Sequence, residues 1–171
     1  ASRLTDLLNE AAALVLHDVV LEGLVDGAVV RVPEFTLPRD ELLAARATGP
    51  RGSAARRIAT VPHRLQAQIG PYTVLGRLHA PPGISAGSSL HDRGPMLPLT
   101  DATIAYIIGG VVEVRDAATL IVNRDLASWL KDVETGVDVD TVTGRPVLPP
   151  GRRPVGATGD VPTRHTVRTR A

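Results

Sequence analysis

Cysteine is absent from this chain. Disulfides, thiolate metal sites and cysteine nucleophiles are therefore excluded. Aromatic residues are nearly as scarce, at 2% of 171 residues: Phe35, Tyr72, Tyr106 and Trp129. A core must then be aliphatic, and a stacking platform for unpaired bases can hardly be assembled. Lysine occurs once, as Lys131, and every other basic residue is arginine. That skew, beside abundant Ala, Val, Gly and Pro, points to a GC-rich coding sequence, so the arginines need no binding explanation. An excess of one charge is missing too. With 19 basic and 18 acidic side chains, net charge argues neither for nor against nucleic acid. No apolar run approaches the roughly 20 residues of a membrane helix, so no membrane span is expected. The charged segment Ala1 to Glu10 carries no secretory pattern, and the expected location is cytoplasmic.

A hydrophobic fraction of 43% suffices for one packed domain of common size. Leu4, Leu7, Leu8 and Ala11 fall at helical spacing, with Ser2 as the expected N-cap, and predict a short helix seeking a docking surface on its own domain or another subunit. From Leu14 the pattern alternates and predicts a strand ending at the Asp26-Gly27 turn. Ala28 to Val32 and Phe35 to Leu37 read as short strands separated by Pro33, which implies an edge or a bulge. Pro38 to Arg46 reads as a helical turn. Thr48 to Arg57 is a loop by composition. Ile58 to Ile69 and Tyr72 to Ala80 are expected strands, the second bent or closely approached at Gly76. Pro81 to Pro95 reads as a long loop. Met96 to Ile108 and Val111 to Val114 predict a hairpin across Gly109-Gly110, with Thr119 to Val122 as a further strand. Arg124 to Lys131 reads as a short helix carrying Trp129.

Two segments resemble each other: Gly27 to Leu42 and Gly110 to Leu126. Each runs from Gly through valines to an apolar triplet and an Arg-Asp pair, Arg39-Asp40 and Arg124-Asp125. Upstream, His17 to Leu24 resembles Tyr72 to Leu78. The expectation is a mainly β, α+β-minor chain: a duplicated small-barrel domain over 1–133, with packed halves at about 14–47 and 58–131. An N-terminal helix precedes the two halves, and an extended Pro/Gly/Arg-rich tail, 134–171, follows the domain. Such a tail cannot offset its ordering entropy alone, so its own domain or a neighbour is expected to pin it.

The motifs Gly76-x-Leu78-His79-x-Pro81-Pro82-Gly83, Leu97-Pro98-Leu99-Thr100-Asp101-Ala102-Thr103-Ile104 and Leu120-Ile121-Val122-Asn123-Arg124-Asp125 resemble an uncharacterised family of bacterial β-domains over roughly residues 72–130. That resemblance implies no activity. More distantly, the order of a glycine-bent strand, a strand with a polar turn and an arginine turn is similar to Sm-like small barrels. It implies an SH3/Sm-like barrel with a ring-forming habit. The Asp-x-x-x-Asn loop of the Sm uridine pocket has no counterpart here, so RNA binding is not implied.

No catalytic constellation is found. HxH, HxxxH and HExxH spacings are absent, and no metal or cofactor is expected. His79, His91 and Asp92 flank the 81–95 loop and are candidates for an acid/base or transient metal site, as is Asp101 for a general base. The plainer account is a strand-end cap and solvated side chains. Ser88 and Ser89 near His91 lack the G-x-S-x-G elbow. Arg51, Arg56, Arg57 and Arg64, with Arg124, are candidate anion or nucleic-acid contacts, as are the tail arginines. The plainer account there is a solvated face, and for Arg124 the start of a helix. Two functions follow: a non-enzymatic assembly module, as a homo-oligomer or a subunit of a larger complex, or a nucleic-acid binder using the arginine loop and tail.

Overall fold

Apolar residues two apart, interrupted by turn glycines, dictate strands here, and strands dominate the fold. The computed structural model describes residues 3–48 and 58–134, together with the backbone of 137–139 and 146–147. Helix α1 (Leu4–Glu10) is followed by a hairpin of β1 (Ala13–Glu22) and β2 (Val29–Pro38), which forms a sheet by itself. A 3-10 turn, Arg39–Glu41, leads to β3 (Ala44–Arg46). The larger sheet adds β4 (Val61–Ile69), β5 (Tyr72–Ala80), β6 (Met96–Ile108), β7 (Val111–Asn123) and β8 (Ala127–Asp132). Helix α2 (Ala86–His91) joins β5 to β6, and a 3-10 turn, Arg124–Leu126, joins β7 to β8. Two short strands from the expected tail, β9 (Val137–Val139) and β10 (Pro146–Val147), extend the edge beyond β8. The order is β10-β9-β8-β4-β5-β6-β7-β3, and among the described residues no ladder joins its two edges.

The core lies on one face of this sheet. Leu65, Ala67 and Ile69 of β4 alternate inward beside Val74 and Leu78 of β5, Leu97 and Leu99 of β6, and Leu120 and Val122 of β7. Full burial of each such side chain contributes about 1.5–3 kcal/mol. Gly76 belongs here for a steric reason. A Cβ on it would stand 2.8 Å from the Leu99 Cβ and 3.2 Å from that of Ala102. The close approach arises because β6 bulges at this point: Leu75 faces Thr103, but Arg77 faces Thr100. At the bulge sits Asp101, in a left-handed conformation with φ +46°.

The structure corrects several sequence expectations. Arg124 to Lys131 is not a helix: Asn123 accepts a hydrogen bond from the Asp125 N–H and closes a single 3-10 turn. The chain then alternates as β8, with Leu130 buried and Trp129 outward, opposite Gln68 on the open edge of β4. The 81–95 segment contains α2, capped by the Ser85 hydroxyl accepting from the Ser88 N–H. The two short strands around Pro33 form one strand, and Thr119 to Val122 is the end of β7. Pro38 to Arg46 divides into the 3-10 turn and β3. Helix α1 has Arg3 at its N-cap position, the expected cap Ser2 lies outside the described residues, and of its stripe Leu8 alone is buried. Leu8 packs with Met96 and Ile121 while Leu4 and Leu7 stay exposed.

Candidate functional site

The candidate residues separate into three places. On the outer face of β5 and β6, the His79 ring lies between two hydroxyls, with Nδ1 3.1 Å from Thr60 Oγ1 and Nε2 2.8 Å from Thr100 Oγ1. Beside it, Arg77 Nη1 donates to the Asp101 carboxylate at 3.2 Å, both side chains being more than half exposed. Arg64 stands exposed and directly opposite Arg77. The outer face thus brings His79, Asp101 and Arg64 onto neighbouring strands.

His91 and Asp92 lie elsewhere, exposed at the C-terminal end of α2. Arg124 is also there, and it is spent on structure. Its Nη1 donates to the Leu90 carbonyl at the end of α2, and its Nε lies 3.6 Å from Asp125. Arg93 donates likewise to the His79 carbonyl, and burial lowers its pKa from the usual guanidinium value. These arginines tether α2 to the sheet. Arg51, Arg56 and Arg57 lie outside the described residues. Among the described residues, no three His, Asp or Glu side chains converge in a way that could hold a metal. His63 has its Nε2 buried without a hydrogen-bond partner on β4, apart from the other imidazoles.

The third place is the β1–β2 hairpin. Its sequence alternates as if it were part of a core. Leu14, Leu16, Val19 and Leu21 of β1 and Val32, Phe35 and Leu37 of β2 share one face. Of these only Leu14 packs against a hydrophobic cluster, that of Leu8, Met96 and Ile121. Leu16 is 37% exposed, and Val15, Val20, Val29 and Val30 exceed half exposure. The hairpin touches the larger sheet at its tip, where the Gly109 N–H donates to the Leu24 carbonyl at 3.0 Å. Between tip and base lies an open cavity of about 480 Å³, with Leu24 and Leu37 on one wall and Tyr72, Ile104 and Tyr106 on the other. The two tyrosine rings meet edge to face, 5.5 Å apart. Burial, and then the neighbouring Tyr106, raise the Tyr72 pKa above 10.0.

Both strands and their turn were expected from the sequence, but not their standing apart from the larger sheet. Leu14-x-Leu16-x-Asp18 in β1 repeats as Leu97-x-Leu99-x-Asp101 in β6. Asp18 and Asp101 are the only non-glycine residues with positive φ among the described residues. Each stands where its ladder is interrupted, opposite Pro33 or Ala118. Compared with known proteins, the chain matches no family model, no curated protein and no solved structure.

Proposed function

We propose that this chain is a non-enzymatic assembly module, joining copies or subunits through the β1–β2 hairpin. One observation carries the reading. A hairpin with a core-type apolar face stands as its own two-stranded sheet, outside the main hydrophobic core of the described residues. Isolated two-stranded hairpins are marginal in water, and open edges are templates for further strands. The dispersal of His79, His91, Asp92 and Asp101 over two separate places favours binding over catalysis.

In the same reading the scaffold is a small barrel of the Sm-like kind. The strand bent at Gly76, the β6–β7 hairpin and the Arg124 turn support it by their order. The reading also takes the two hairpins as copies of one unit. Pro33 and Ala118, at the ladder interruptions, each precede an Arg-Asp 3-10 turn by the same six residues. The Arg39 N–H bonds the Ala12 carbonyl as the Arg124 N–H bonds that of Pro95.

Light scattering on the full chain over a wide concentration range tests the function. A mass above that of one chain is expected, and a strict monomer throughout would overturn the reading. The competing function, nucleic-acid binding, draws on Arg64 and Arg77 side by side on an exposed face. It requires affinity that falls steeply with salt and weakens in Arg64→Ala; a gel-shift assay without any shifted species removes it.

A further inference from the structure

We infer that the partner of the hairpin is a second copy of this chain, joined edge to edge along β2 across a two-fold axis between Val32 and Pro33. The inference rests on the assembly reading above and assigns it a surface and a symmetry.

In an antiparallel ladder, hydrogen-bonded and non-hydrogen-bonded pairs alternate. At the base of the hairpin, Arg39 bonds Ala12, so the amides of Leu37 and Phe35 face β1. At the tip, Gly23 bonds Ala28, so those of Val30 and Val32 face β1. Parity thus changes once, at the Asp18–Pro33 interruption. The groups of β2 that face away from β1 are those of Val29 and Arg31 on one side of the interruption and Glu34 and Thr36 on the other.

Those four positions are self-complementary. Antiparallel to its own copy about the proposed axis, Arg31 faces Glu34 of the second copy, and Val29 faces Thr36, each in a hydrogen-bonded pair. Proline, which has no N–H to give, falls opposite Val32 in a non-hydrogen-bonded pair, where none is needed. A shift by one residue would set Pro33 in a bonding position, so the proline fixes the register. Side chains agree with backbone. Arg31 and Glu34 are both exposed. Each Arg31 meets a Glu34 and the two-fold supplies that contact twice, as an isologous interface requires. Opposite charges directly across a ladder stabilise it, and like charges there destabilise it.

Charge reversal tests the pairing, read by sedimentation of the full chain, with circular dichroism to verify folding. Both residues are exposed, so folding is expected to persist. Arg31→Glu or Glu34→Arg alone places like charges opposite at both ends, and dimer dissociation should rise about tenfold or more, two exposed pairs each contributing up to about 1 kcal/mol. Arg31→Glu with Glu34→Arg together restores opposite charges and should restore the dimer. Dissociation in all three variants would overturn this register. Unchanged assembly in all three would overturn the β2 edge and leave the assembly reading standing. A wild-type chain that never assembles would overturn both.

Discussion

Gly76 is the residue on which the larger sheet turns, because Leu99 and Ala102 occupy the space a side chain would need. Gly76→Ala is expected to destabilise the fold by about 1–3 kcal/mol, as overpacking of a tight core does; urea unfolding reads this directly. The need for glycine there was legible in the sequence, since a glycine inside an alternating strand signals bending or close approach. The atoms that press on it were not, because they arrive from β6. Tyr72 gives the second prediction at this scale. Its folded pKa lies above 10.0, raised by burial and then by Tyr106. The unfolded phenol ionises first, so its contribution to stability is full below about pH 10 and falls as pH climbs through the folded pKa. Melting temperature should decline more steeply with alkaline pH in the wild type than in Tyr72→Phe.

At the scale of elements, α1 is held less by its apolar stripe than by one side chain. Asn9 accepts from the Met96 N–H at 3.0 Å and donates to the Met96 carbonyl at 3.2 Å, while Leu8 alone is buried. Asn9→Ala leaves both backbone groups without that partner, and a loss of about 1–3 kcal/mol is expected. Proteolysis should then release the first residues before the sheet unfolds. Periodicity revealed the helix itself, the strands β4 and β5, and the hairpin across Gly109-Gly110. It failed at Arg124 to Lys131. An apolar residue near Trp129 fits either period over so short a run, and the open edge of β4, invisible in sequence, decides for a strand. The loop candidates lie apart because of a helix. His79 and His91 flank one segment in sequence, but α2 folds within it and carries His91 to its far end.

For the whole molecule, a mainly β body was legible from alternation and turn glycines. The separation of β1–β2 into its own sheet was not, because local pattern is the same in a hairpin that joins a larger sheet and in one that stands apart. The rare aromatic residues turn this division into an optical experiment. Trp129 is the only tryptophan and sits on β8 beside β4, so emission follows the union of those two strands. Tyr72 and Tyr106 line the cavity beneath the hairpin, and their near-ultraviolet dichroism follows its approach. In rising urea the tyrosine signal should fade at a lower midpoint than the tryptophan signal. Coincident midpoints would mean that hairpin and sheet melt as one cooperative body. By restricting its chromophores to two sites, the chain lets each of its sheets be watched by a separate colour of light.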